Sequence, residues 1–189
     1  MKLILASRSP RRRELIKLLN IPFECISADT DENVSVSSPE LAVCEISRKK
    51  AEAAAAKRGV FEDEVVIGSD TVVVLGEKIL GKPRDRADAF ATLASLSGKT
   101  HRVLTGVTLI YLKNGKKEIK GFFEKTEVTF KSLSEREING YLDLGEYADK
   151  AGSYAIQGVF SAYVESVNGD FNNVVGFPVS RVYNEIKTL

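Results

Sequence analysis

Asp70 is a carboxylate set inside one of the most apolar stretches of the chain, VVIGSDTVVVL. Gly68 and Ser69 interrupt that run just before it, as expected where a backbone approaches something closely. A turn near Gly76 and Glu77 folds the strand back, in a register that puts Lys82 opposite Asp70 to within one residue. Such a pair is either an ordinary cross-strand ion pair or a catalytic carboxylate beside a cation that can hold a phosphate. The second candidate lies in LILASRSPRRREL, where a short apolar run ends in Ser-x-Ser-Pro and Arg11, Arg12 and Arg13 follow at once. Ser9 and Pro10 read as a helix start, serine as the cap and proline at the first helical position. Arginines there oppose the helix dipole, at a few tenths of a kcal/mol each unless something negative is near. Helical spacing puts Arg12 on the face of Leu15, Ile16 and Leu19, Arg11 with Leu15 and Leu18, and Arg13 on the solvent side. Two readings follow: pairing with carboxylates of a neighbouring loop, or a polyanion site in which helix N–H groups and arginine forks grip phosphate oxygens. A P-loop is excluded, because its Gly-x-x-x-x-Gly-Lys-Ser/Thr pattern is absent.

Further charges fit either a structural or a chemical role. Asp29, Asp31 and Glu32 form an acidic loop, by default a solvated surface and otherwise a source of oxygen ligands for Mg²⁺. Lys50 shares a helical face with Ile46, Ala53 and Ala54, so its stem points inward, although lysines on such faces commonly snorkel to water. His101 is the only histidine, which excludes a multi-histidine metal site within one chain, and nothing around KTHRV supports a Ser-His-Asp triad. The chemistry must then run on carboxylates, cations and a bound metal.

The elements that carry these residues follow from pattern. Residues 2–6 read as a strand, 10–20 as a helix and 23–28 as a second strand. Ser38 and Pro39 open a long helix to Arg58, closed by Gly59. EVVIGSDTVVVLGEKILGKP reads as strand, kink and hairpin, and 86–97 as a helix ended by Gly98. HRVLTGVTLIYL and FEKTEVTF alternate as strands joined by a turn around Asn114 and Gly115. SEREINGYL starts with a capping box, Ser134 and Glu137. Residues 153–167 read as strands, with a turn at Asn168 and Gly169, and a last helix starts at Pro178. Strands alternate with helices early and cluster later, which predicts an α/β fold with a mixed sheet flanked by helices, in two lobes around a cleft.

Composition narrows the class. The chain has 189 residues, 43% apolar and 28% charged, with formal net charge +1. Such a chain buries roughly 70% of its unfolded surface and needs no metal or disulfide staple. The near-neutral charge and the lack of an exposed aromatic platform argue against a nucleic-acid binder. Cys25 and Cys44 are the only cysteines and are expected as buried free thiols of a reducing compartment. No apolar run approaches the ~18 residues of a membrane span. The N-terminal apolar stretch is too short for a signal peptide, so a cytoplasmic protein without membrane contact is expected.

These residues lie in segments that resemble the Maf family of nucleoside triphosphate pyrophosphatases. LASRSPRRREL, DTDE, SRKKA, GSDTVV, GKPRD, LSGKTHRVLTGV, DKAGSYAIQG and NNVVGFP follow one another in family order over nearly the whole length. The resemblance implies a single domain, 1–189, with an elongated fold related to the inosine triphosphatases. It implies cleavage of a nucleotide between its α and β phosphates with Mg²⁺ or Mn²⁺. It places the phosphate grip on Ser7, Ser9, Arg12, Lys50 and Lys82. The catalytic carboxylate falls on Asp70, as general base or metal ligand, with Glu32 as a further metal ligand. Arg11, Thr71 and Gln157 match the family branch that prefers dTTP and UTP, whereas a branch preferring 7-methyl-GTP resembles Trp, Gln and Glu there. The implied partner is the nucleoside triphosphate, and a homodimer is compatible with all of this. The competing reading is a non-catalytic regulator of septum formation that binds nucleotide or nucleic acid.

Overall fold

The computed structural model describes residues 1–27, 30, 36 and 38–189. Strand β1 (Lys2–Ala6) leads into helix α1 (Pro10–Lys17) and strand β2 (Phe23–Ile26). Helix α2 (Pro39–Arg58) then precedes strand β3 (Glu64–Leu75), strand β4 (Lys78–Leu80) and helix α3 (Arg86–Leu96). Strands β5 (Thr100–Lys113) and β6 (Lys116–Phe130) form a hairpin, followed by helix α4 (Glu135–Leu142). Two 3₁₀ segments, Ala151–Ser153 and Val159–Tyr163, lead to strand β7 (Val164–Asn168) and helices α5 (Phe171–Val175) and α6 (Val179–Ile186). The strands pair in the order β2-β1-β3-β5-β6-β7, with β4 also on β3. β1 is parallel to both β2 and β3, while β3–β4 and β6–β7 are antiparallel, so the sheet is mixed as expected.

Local chemistry explains most boundaries. Ser9 and Ser38 cap α1 and α2 with proline in the first turn, and the capping box at Ser134 and Glu137 closes both ways. The hairpin turn has Asn114 and Gly115 both at positive φ (54° and 72°), which suits the right-handed twist of the strands it joins. α1 stops earlier than expected. From Leu18 onward the amides bond to carbonyls three residues back, and Asn20 turns left-handed at φ 54°. The strands expected over 153–163 are corrected to 3₁₀ turns and coil. Gly152, Ser153 and Gly158 all have positive φ, which breaks an extended ladder, and only Val164–Asn168 pairs as a strand. The apolar residues of this segment fill the core instead: Tyr154, Ile156 and Phe160 are buried.

The chain divides into two compact units. The first comprises Met1–Thr71, Thr105–Glu124 and Gly176–Leu189. Its core joins Ile4 and Ala6 of β1, Ala51, Ala54 and Ala55 of α2, Val66 of β3 and Ile110 of β5. Burying each of Ile4, Val66 and Ile110 contributes about 1.5–3 kcal/mol, and each alanine methyl less. The second comprises Val72–Leu104 and Lys125–Val175. Its core is aromatic: Phe130, Tyr141, Tyr154 and Phe160 pack edge-on or tilted with ring centroids 4.7–5.2 Å apart. Among the described residues no helix is long and apolar enough to cross a membrane.

Candidate active site

In the first unit, two glycines decide where α2 lies. A Cβ on Gly68 of β3 would meet the Ser47 carbonyl oxygen at 2.1 Å and the Ala51 nitrogen at 2.6 Å. A Cβ on Gly106 of β5 would meet the Val43 carbonyl oxygen at 2.2 Å. The backbone of α2 therefore rests directly on the sheet at both strands. The Ser47 hydroxyl, on the same helix, lies 2.9 Å from the Thr108 hydroxyl of β5. Gly68 is thus not a kink that interrupts the strand, which runs unbroken from Glu64 to Leu75. It is the point of close approach.

This seating delivers Lys50 to Asp70. Side chains two apart on a strand share a face, so Asp70 faces the same helix as Gly68. Lys50 Nζ donates to Asp70 Oδ1 at 2.7 Å, with the two side chains only 12% and 14% exposed. The inward lysine stem is as the helical face predicts, and its head ends on the carboxylate rather than in bulk water. The expected partner of Asp70, Lys82, needs correction. The β3–β4 ladder is offset by one residue from the expected register and ends at Val73↔Leu80. Lys82 lies beyond the last pair and is exposed, in the second unit.

The arginine turn is built from the Ser-x-Ser-Pro segment. The Ser9 amide donates to Ser7 Oγ at 3.1 Å, and Ser9 Oγ accepts from the Arg12 amide at 3.5 Å. Ser7 is buried and Ser9 half-buried. Arg11 and Arg12 are half-buried and Arg13 is exposed, as the helical phase predicts. Arg12 Nε donates to the Gly176 carbonyl at 2.9 Å, and its Nη2 donates to the Thr71 hydroxyl at 3.0 Å. Thr71 Oγ1 in turn lies 2.9 Å from Thr105 Oγ1. Both of these acceptors are neutral oxygens.

Cys25 and Cys44 are free but half-buried, not buried. Burial raises both thiol pKa values, opposed at Cys25 by the Arg13 charge and hydrogen bond. In the second unit, Gln157 is exposed in the segment between the two 3₁₀ turns. His101 is buried, its Nε2 2.8 Å from the Tyr154 hydroxyl and its ring 4.6 Å from that of Phe130. Burial lowers its pKa to about 4, so it is a neutral core residue, in line with the absence of triad signals around it. Glu32, with Asp29 and Asp31, lies outside the described residues. Among the described residues no group of three or more His, Cys, Asp or Glu side chains gathers as a metal cage. Sequence reasoning missed Thr105, Gly106 and Gly176. Gly106 carried a usable signal, a glycine inside an alternating apolar strand, the same one that marked Gly68.

Over residues 2–189 the chain matches the family described as Maf-like protein. A dTTP/UTP pyrophosphatase of Thermoanaerobacter sp. (strain X514) is 46% identical over 187 residues, covering 99% of this chain and 96% of the relative. The dTTP/UTP pyrophosphatase of Thermosipho africanus (strain TCF52B) is 48% identical over 184 residues, covering 97% and 91%. That of Bacillus cereus (strain Q1) is 46% identical over 187 residues, covering 98% and 94%. The solved structure of the Staphylococcus aureus Ham1 protein aligns with a TM-score of 0.48 and 15% identity, over 69% of this chain and 72% of that one.

Proposed function

The chain belongs to the Maf family, and from that premise we propose that it is a nucleotide pyrophosphatase that hydrolyses dTTP and UTP to the monophosphate and pyrophosphate. The observation that carries this reading is the sheltered Lys50–Asp70 pair, a carboxylate held in one orientation by a cation. Water attacks the α-phosphorus, the bond to the bridging oxygen breaks, and pyrophosphate departs. Asp70 accepts the proton of that water as general base. Arg12, Lys50, Ser7 and Ser9 meet the phosphates in the first unit, as donors and positive charges for the negative charge that grows on the leaving group. Lys82 for phosphate, and Arg11, Thr71 and Gln157 for the base, are assigned on the sequence pattern.

The donor set suits a divalent cation such as Mg²⁺ or Mn²⁺. Mg²⁺ is commonly held by one or two carboxylates plus substrate phosphates and waters rather than by a full protein cage. Asp70, whose Oδ1 is taken by Lys50, offers a hard oxygen of that kind, and Glu32 is the proposed second. When bound, the cation neutralises phosphate charge and polarises the α-phosphoryl group.

The pyrimidine preference has a chemical basis. Uracil and thymine present two carbonyl acceptors around one N–H donor, and a glutamine amide can accept from the N–H while donating to a carbonyl. The test is a panel of nucleoside triphosphates with Mg²⁺, read by pyrophosphate release, for the wild type and Gln157→Glu. The wild type should turn over dTTP and UTP fastest, and Gln157→Glu should lose that preference. Faster cleavage of purine triphosphates by the wild type overturns the substrate assignment. No pyrophosphate from any nucleotide overturns the enzyme in favour of a regulator.

A further inference from the structure

Thr105 of the first unit lies in the segment LSGKTHRVLTGV, but the sequence assigns it no role. Its side chain is fully buried, and its hydroxyl lies 2.9 Å from that of Thr71. Thr71 is already engaged: it accepts from Arg12 Nη2 at 3.0 Å, while Arg12 Nε donates to the Gly176 carbonyl at 2.9 Å. The guanidinium is thus held at two points, and one of them is a hydroxyl with a single proton to give. That proton has two acceptors in range, Thr105 Oγ1 at 2.9 Å and the Gly176 carbonyl at 3.4 Å. The second is long for an O–H···O bond, and that carbonyl already takes Arg12 Nε. With Thr105 present, Thr71 can turn its proton away from Arg12 and its lone pairs toward it. Gly176 completes the frame. Its φ is +127°, in the region that favours glycine, and a Cβ there would stand 3.7 Å from the Thr71 hydroxyl.

We propose that Thr105 is a positioning residue for Arg12, acting through the Thr71 hydroxyl, so that Thr71 shapes substrate handling by aiming the arginine that grips phosphate. The inference rests on the assignment of Arg12 to the triphosphate made above. It implies that the grip is aimed before substrate arrives, by the Thr71 hydroxyl and the Gly176 carbonyl that orient the guanidinium. It also implies that exchanging Thr71 for a longer residue moves Arg12 as well as any contact with a base.

The test uses wild type, Thr105→Val, Thr105→Ser, Arg12→Ala and the double variant Arg12→Ala/Thr105→Val. Steady-state kinetics with dTTP give KM and kcat, and calorimetric titration gives the affinity for pyrophosphate alone. Thr105→Val should raise KM and weaken pyrophosphate binding about tenfold, with kcat changed by less than about threefold. Thr105→Ser should restore both to within about twofold, because it returns the hydroxyl. In the Arg12→Ala background, Thr105→Val should add nothing, since the group it positions is gone. Should Thr105→Val lose its circular-dichroism signature of folding, Thr105→Ala takes its place in every arm. An unchanged KM and pyrophosphate affinity, a loss confined to kcat, or the same loss with and without Arg12 each overturns the proposal. A wild type that binds pyrophosphate but turns over no nucleotide overturns the enzymatic reading alone, and the pyrophosphate series still decides Thr105. A wild type that does not bind pyrophosphate overturns both.

Discussion

Among the polar pairs that the two units shelter, one in each is built on a principle opposite to the other's. In the first, Lys50 and Asp70 meet as ions at 2.7 Å, each side chain less than 15% exposed. In the second, His101 and Tyr154 meet as neutral groups at 2.8 Å inside a shell of aromatic rings. Burial pushes the histidine pKa down to about 4 and the tyrosine pKa up, so both stay uncharged near neutral pH. A neutral pair is an inexpensive way to fill a core. A desolvated ion pair is not, because the loss of hydration offsets most of the attraction. Stability alone therefore accounts for the second pair and not for the first. The charges at Lys50 and Asp70 are those that the proposed reaction would use, one for a polyanion and one for an attacking water.

The sharpest way to break this contrast is Asp70→Asn. The exchange is nearly isosteric and removes both base and charge, so the rate of pyrophosphate release should fall about 10²–10⁴-fold while the fold persists. A folded variant that works at near wild-type rate would reduce the ion pair to a structural feature. Gly68→Ala attacks the same pair from behind. Its Cβ would collide with the backbone of α2, so denaturant unfolding should show a loss of about 3 kcal/mol. The residual activity should fall with it as Lys50 is displaced.

The second pair makes an opposite prediction, in stability and not in rate. His101 has a folded pKa of about 4, below the ordinary 6.5. Between those values the unfolded chain binds a proton that the folded protein excludes, so this contribution is complete above pH 6.5 and is lost as pH falls toward 4. The full span is worth about 3 kcal/mol. Glu24, Glu64 and Glu185 are held ionised to lower pH by Lys2, Arg58 and Lys120, so the slope between pH 6.5 and 5 isolates the histidine. Thermal melts should show the wild type losing stability across that window, and His101→Phe/Tyr154→Phe should flatten the slope. An unchanged slope in the double variant would remove the neutral pair from the comparison.

The smallest effects lie on α1. Arg12→Ala should weaken substrate binding by about 1.5–3 kcal/mol, the range for a charge-assisted contact. Arg13→Ala, on the exposed side, should change KM little. Kinetics giving Arg13 the larger loss would contradict the helix phase that both sequence spacing and burial support.

Sequence by itself determined the elements whose signals are local. Ser9 with Pro10, Ser38 with Pro39, the Ser134–Glu137 box and the Asn114-Gly115 turn each act within a few residues, and each stands where the pattern put it. The inward face of Lys50 and the outward face of Arg13 followed from helical period in the same way. What pattern could not supply was anything set by the meeting of distant segments. Lys82 looked like the partner of Asp70 because a hairpin is the nearest route between a lysine and an aspartate. The actual partner arrives from α2, because Gly68 and Gly106 leave room for a helix backbone where side chains would stand. The segment 153–163 reads as strand, but its positive-φ residues and the aromatic core it fills are visible only in three dimensions. Thr105 and the Gly176 carbonyl were silent for the same reason. A buried hydroxyl or a backbone oxygen has no periodicity, and its role exists only once the fold has brought Arg12 and Thr71 to it.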